Sequence, residues 1–318
     1  MDLLQEIKEK TTSIPDPKVR TGVEAAVTHI AVAERWFQRA RSEYSSEMFN
    51  DVIYRSNQAF EGMLKEAFSV LKKQDASKKT PSEIEKSLKA DKIFTSRVLD
   101  RFENYRTEWR NPSTHDHRLV FNEQEALLAI ISVSAFAVIL IDQLIESIGY
   151  DEEKLGVQAN KREILKRLGS VEDKTIFQLV AGLLEQFGLE LFKHGDPGEM
   201  KEVEILGRLA AFLETLDLGI STSREVKSDA QRRLAPDLIV TRDSESLIIE
   251  VKKPQAYKQE YAASLTQIQR YLELTGISEG IIYIPPSSSS QGIQITQLSK
   301  QFNLGKEYSI YAIEPKAV

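Results

Sequence analysis

The hydrophobic pattern changes period once along the chain, and that change divides it in two. Up to about Tyr150 the apolar residues recur at three- and four-residue spacing, as on one face of a helix. Val52, Ile53, Ala59, Phe60, Met63, Leu64, Phe68 and Leu71 show it well. Helical patterns run near 22–43, 47–73, 81–90, 93–111 and 123–148. Asn122 followed by Glu125 gives the last of these a capping-box start. A helical pattern at about 173–191 and another from Met200 follow, and then the period becomes two.

In this second half "ISTSREVKS" alternates like a strand, and "PDLIV" and "SLIIEV" read as two more. "YAASLTQIQRYLELTG" is a helix and "GIIYIPP" a strand ended by prolines. "IQITQLSKQFNLG" is read as helical, and "YSIYAIEP" closes as a strand. The order helix, three strands, helix, strand predicts an α/β sandwich with a mixed sheet. The fold expected is therefore multidomain. An all-α bundle occupies residues 1–150, a charged link 151–172, and an α/β domain 173–318.

At 318 residues the chain is long enough for two ordinary domains. Its net charge of -6 gives no global positive field, which counts mildly against a nucleic-acid partner while leaving room for a local basic patch. There are no cysteines, so disulfides and thiolate metal sites are excluded, and a reducing, cytoplasmic setting suits such a chain. The N-terminus lacks a signal-peptide core. The apolar run 126–141 is shorter than the roughly 20 residues that span a bilayer and contains Ser132 and Ser134. It is read as a helix buried in a bundle or a dimer, not as a membrane span.

The stretch 235–254, "APDLIVTRDSESLIIEVKKP", carries carboxylates where buried strands should not want them. With a turn at Asp243-Ser244, Arg242 faces Glu245, Ile239 faces Ile248, and Asp237 faces Glu250. Residues opposed in this way share a face, with Cβ atoms about 5 Å apart. Lys252, two residues beyond Glu250, shares it as well. Two carboxylates that close would repel, and one would resist ionising. A divalent cation removes the conflict, since Mg²⁺ takes oxygen ligands from one or two carboxylates, waters and substrate phosphate. A surface hairpin with a salt bridge fits poorly, because Leu238, Val240, Leu247, Ile249 and Val251 need one buried face while Ile239 and Ile248 need the other.

Pro236-Asp237 followed by Glu250-Val251-Lys252 resembles the PD-(D/E)xK nuclease superfamily, over roughly the last 120 residues. Gln267 and Tyr271 give the spacing that RecB-like members carry on the following helix. Arg232 and Arg233 stand where such nucleases hold a basic, substrate-binding residue. The resemblance implies that Asp237 and Glu250 bind Mg²⁺ or Mn²⁺, that Lys252 orients the attacking water, and that Gln267 and Tyr271 position substrate or shape the site. It also implies an acidic residue on the helix before the first strand. Glu202 lies on the stripe of Leu206, Leu209, Ala210 and Leu213 and is the candidate. A glutamate in a first helical turn is equally what the helix dipole favours.

A second constellation ends the fourth helical pattern in "EWRNPSTHDH". Pro112 disfavours helix at Asn111, so Arg110 falls in the last turn and His115 just beyond. Imidazole moves protons near neutral pH, arginine grips phosphate, and RNA supplies its own 2′-OH nucleophile. Arg110, Asn111 and His115 resemble the HEPN ribonuclease motif of Arg, four to six residues, His. That family is an all-helical bundle whose members pair, which implies a homodimer through the helical half. The alternative is a helix C-terminus whose Arg and His simply favour the dipole and solvent. His117 is a second candidate base, while His29, Trp36 and Trp109 read as structural.

Together the two resemblances imply a nuclease that acts on DNA or RNA, of microbial defence or toxin type. Two other readings stand beside it. In one the helical half is a non-catalytic dimerisation or sensing module governing a single DNA nuclease; in the other the chain is an inactive nucleic-acid-binding scaffold.

Overall fold

The computed structural model describes residues 2–90, 102–111, 120–224, 226–227, 233–234, 236–253, 257–288, 292–303 and 306–316. Four helices open the chain: α1 (Leu3–Thr12), α2 (Pro17–Glu43), α3 (Met48–Lys72) and α4 (Pro81–Ala90). Asp2 caps α1 by accepting the Gln5 N–H at 3.0 Å. Asp16 caps α2, whose first position is Pro17, a residue with no N–H to leave unpaired. A Cβ added to Gly62 would lie 3.1 Å from the Ala26 Cβ, so glycine lets α2 and α3 approach closely there. On α3 the residues Val52, Ile53, Ala59, Phe60, Met63, Leu64 and Phe68 are fully buried, the stripe that the spacing predicts.

A helical segment, residues 102–111, includes a π-helical turn at Arg106–Arg110. Helix α5 (Glu123–Leu168) follows. Asn122 and Glu125 cap it reciprocally, each backbone N–H donating to the other's side chain at 2.8 and 3.0 Å. The chain divides into two units, Met1–Ile148 and Gly149–Val318, and α5 is continuous through the division. Residues 151–168, read from sequence as a link, are the second part of this helix. Their charge hides a sparse stripe in which Val157, Ile164 and Leu168 are buried in the core of the C-terminal unit. A window of α5 is apolar enough to cross a bilayer by length and composition, and 56% of it is buried inside the fold.

The C-terminal unit continues with α6 (Ile176–Leu191) and α7 (Glu202–Thr215). Strand β1 (Ile220–Ser223) comes next, then the short pair β2 (Val226–Lys227) and β3 (Arg233–Leu234), which forms its own two-stranded sheet. Then come β4 (Leu238–Arg242), β5 (Glu245–Val251), α8 (Tyr257–Thr275), β6 (Glu279–Tyr283), β7 (Ile293–Asn303) and β8 (Lys306–Pro315). The main sheet has six strands in the order β1-β4-β5-β6-β8-β7. It is mixed: β5, β6 and β8 are parallel, and the flanking pairs antiparallel. A helical N-terminal region thus precedes an α/β C-terminal unit.

Side chains alternate across the sheet and build a core on each side. On one face Leu238, Val240, Leu247, Ile249 and Val251 pack with Leu184 and Phe187 of α6 and Leu209 and Phe212 of α7. On the other, Ile239, Ile248, Ile282 and Ile310 pack with Ile268 and Leu272 of α8. Burial on both faces explains why β4 and β5 are nearly continuous apolar runs.

Residues 293–303, expected to be helical, are strand β7. A bulge between Gln297 and Ser299 causes the misreading. The extra residue turns the alternation of Ile293 and Ile295 into a 295, 298, 302 spacing of three and four, which imitates a helix face.

Candidate active site

Strands β4 and β5 form a hairpin in which Arg242 pairs with Glu245 and Ile239 with Ile248, the register deduced from sequence. Asp243 makes the turn at φ 54°, a left-handed conformation that aspartate tolerates. The last ladder pair is Leu238 with Ile249, and one further step sets Asp237 opposite Glu250. Both residues, with Lys252, lie on the face that α8 covers, since Ile239 and Ile248 alternate onto it.

Backbone bonds hold the three in place. The Asp237 Oδ2 accepts the Val251 N–H at 2.9 Å. The Lys252 N–H donates to the Tyr283 carbonyl at 2.9 Å, extending the parallel pairing of β5 with β6 past Val251. The Lys252 Nζ donates to Glu250 Oε1 at 3.1 Å. Glu250 is 1% exposed, and its Oε2 is buried without a hydrogen-bond partner. A buried acceptor left unmatched is costly, so this oxygen points to a ligand or a proton.

The electrostatics lead the same way. Burial, and next the negative charge of Asp237, push the Glu250 carboxyl up to about 7 against the pull of Lys252. Burial also raises Asp237, partly offset by the Val251 hydrogen bond and by the charges of Lys252 and Arg224. For Lys252 burial works downward, but the carboxylates of Glu250, Glu202 and Asp237 prevail and raise it. At neutral pH it therefore stays an ammonium, suited to donate hydrogen bonds and not to abstract a proton.

Glu202 begins α7 and lies within electrostatic reach of Lys252. Gln267 and Tyr271 are on α8, where the Gln267 Nε2 donates to the Tyr271 hydroxyl at 3.0 Å and Tyr271 packs against the apolar cluster beneath that helix. Arg233 is in β3, paired with Lys227, while Arg232 lies outside the described residues. Arg224 was missed by the sequence reading. The register of β1 on β4 ends with Ser223 beside Ile239, so the next residue lies by the start of β4, near Asp237.

No family model, no curated protein and no solved structure matches the chain.

The residues present fit a divalent cation on one count above all, the buried Glu250 with an unmatched oxygen beside the half-buried Asp237. Among the described residues no group of three or more His, Asp or Glu side chains could hold a metal. Mg²⁺ does not require one, because it binds through one or two carboxylates and keeps several waters.

In the helical unit Arg110 and Asn111 close the segment 102–111, while His115 and His117 lie outside the described residues. The Arg110 Nε donates to Glu61 Oε1 at 2.8 Å, and its Nη1 to Asn111 Oδ1 at 3.3 Å. Trp109 packs against Phe121 with ring centroids 6.2 Å apart, and Trp36 against the cluster of Ala33 and Phe37. His29 on α2 is lowered by burial and by Arg55.

Proposed function

We propose that the C-terminal unit is a metal-dependent nuclease that cleaves phosphodiester bonds at the Asp237–Glu250–Lys252 cluster. The observation that carries this reading is the buried, partnerless Glu250 Oε2 beside a second carboxylate and an ammonium. Asp237 and Glu250 would hold Mg²⁺ or Mn²⁺, with Glu202 as a further candidate. The bound cation lowers the pKa of a coordinated water and offsets charge on the phosphate. Lys252 spends one hydrogen on Glu250 and has others to orient the attacking water or meet charge that builds on the phosphate oxygens. Arg232 and Arg233 would bind substrate, and Gln267 with Tyr271 would shape the wall of the site. The setting that goes with this chemistry, defence or toxicity through attack on nucleic acid, comes from the resemblance.

The helical unit could carry a second, metal-free ribonuclease site built from Arg110, Asn111 and His115 in a homodimer. One observation favours the other reading, a non-catalytic dimerisation or sensing module. Arg110 is engaged by Glu61 in a half-buried ion pair, which turns its guanidinium toward a structural role.

A cleavage panel of double-stranded DNA, single-stranded DNA and RNA, each with Mg²⁺, Mn²⁺ or EDTA, tests the proposal. Cutting of at least one substrate with metal, and none by the C-terminal site in EDTA, is expected. No metal-dependent cutting of any of the three would favour the scaffold reading.

A further inference from the structure

The turn between α3 and α4, together with the exposed side of α4, gathers charge of one sign. Between residues 72 and 89 stand six lysines, Lys72, Lys73, Lys78, Lys79, Lys86 and Lys89, against three carboxylates, in a chain whose net charge is -6. Lys73, Lys78, Lys86 and Lys89 are exposed. On α4, Lys86 and Lys89 are three residues apart and lie outside the buried stripe of Ile84, Glu85 and Leu88. Lys79 and Lys86 are both within electrostatic reach of Glu83, so the turn and the helix form one surface.

Each of the three carboxylates is engaged by a neighbour within the fold. Asp75 accepts the Ser77 N–H at 2.9 Å and the Ser77 hydroxyl at 2.7 Å, which shapes the turn. Glu83 accepts the Thr80 N–H at 2.8 Å and the Thr80 hydroxyl at 2.7 Å, closing a capping box at the start of α4. Glu85 is 8% exposed and accepts from the Arg106 Nε at 2.7 Å. Among the described residues Lys78, Lys86 and Lys89 form no ion pair. The same hydrogen bonds fix the turn, so the lysines are brought together before any partner arrives.

We propose that this corner of the helical unit binds the phosphate backbone of nucleic acid. A polyanion relieves the repulsion among the lysines, and release of its counterions drives binding. A lipid surface fits less well, because it also takes exposed apolar side chains. Here Ala76, Pro81, Ile84 and Leu88 are all buried, and the Lys79 Nζ lies 5.2 Å over the buried ring of Phe68. The choice of nucleic acid over another polyanion rests on the reading of the C-terminal unit as a nuclease. Lysine meets phosphate as a point charge and reads no base edge, so the surface holds substrate without selecting its sequence. It supplies locally the positive field that the net charge denies the chain as a whole.

Fluorescence anisotropy of labelled duplex DNA and single-stranded RNA, titrated with the full-length chain in EDTA, tests this. Metal-dependent cutting is absent there, and Asp237→Asn should bind as wild type does, so failure of the cleavage assignment leaves the test intact. Wild type should bind at least one of the two. Changing Lys78, Lys79, Lys86 and Lys89 together to Gln should weaken binding about 10-fold or more near 0.1 M salt and lower the slope of log K against log salt by about 2 or more. The same four positions changed to Arg should restore both, and all variants should melt as wild type does. Lys86→Gln with Lys89→Gln should cost more than Lys154→Gln with Lys166→Gln, two exposed lysines of the C-terminal unit. No binding by the wild type, or equal losses from the two double variants, would overturn the proposal. So would tighter binding to phosphatidylserine vesicles than to either nucleic acid, the mark of a membrane surface.

Discussion

Asp237 accepts the Val251 N–H at 2.9 Å, so the side chain that opens β4 is tied to the strand that carries Glu250. This bond fixes one carboxylate against the backbone and leaves the other to face it. Asp237→Asn keeps an acceptor for Val251 and removes the charge that raises Glu250. The variant should melt at the wild-type temperature or slightly above. Its metal-dependent cleavage should fall by about 100-fold or more, as should that of Glu250→Gln. Undiminished cutting with Mg²⁺ by either variant would refute the assignment.

Stability should depend on pH with a sign opposite to that of an ordinary ion-paired acid. The Glu250 carboxyl is raised from near 4.5 to about 7 in the folded chain. Between those values the folded state holds a proton that the unfolded state has released. The stabilisation is therefore complete below the unfolded value and is lost as pH rises through the folded one, by up to about 1.4 kcal/mol per unit. Thermal melting in EDTA, stepped from about pH 5 to pH 8, should show the decline, and Asp237→Asn should lessen it. A flat curve, or a rise with pH across this window, would mean that Glu250 is ionised throughout.

The core of this site was legible in the sequence because its strands are buried on both faces. Apolar runs broken by Asp237, Glu250 and Lys252 leave few registers, and the pairing of Ile239 with Ile248 is the one deduced. Arg224 gave no signal, because a lone arginine after a short strand acquires meaning only once β1 is laid beside β4. Strand β7 was misread because its bulge broke the period. Helix α1 was passed over because its acids and lysines mask the buried Ile7. The stretch 151–168 was lost for a similar reason, its buried residues being widely spaced among charges. Identity of residue types could suggest Arg110 with His115, but not that Glu61 engages the guanidinium.

The two proposed cleavage sites differ in what they need. EDTA should silence the Asp237–Glu250 site and spare any RNA cleavage that depends on His115. Attack by the 2′-OH leaves a 2′,3′-cyclic phosphate on the RNA product. If all RNA products carry a plain 3′-OH and all cleavage stops in EDTA, the helical unit is not a ribonuclease.

Helix α5 leaves Leu127, Leu128 and Ile131 exposed at 43%, 52% and 44%, next to one another on the helix surface. Exposed apolar patches of this kind mark interaction sites, and two-fold pairing is the commonest outcome. A fragment of residues 1–150 isolates this surface from nearly all of the C-terminal unit. It should sediment as a dimer at micromolar concentration, and Leu128→Glu with Ile131→Glu should return it to monomer. A folded monomer, judged by circular dichroism, would remove both this interface and the composite ribonuclease site.

Calorimetric titration of Mn²⁺ into the full-length chain at neutral pH tests the central claim most directly, because it asks whether the two carboxylates form a cation site before any substrate is chosen. Wild type should give saturable binding with release of a proton from Glu250, and Asp237→Asn and Glu250→Gln should each abolish it while melting as folded proteins. Absence of a binding signal in the wild type, or binding that survives both substitutions, would contradict the account.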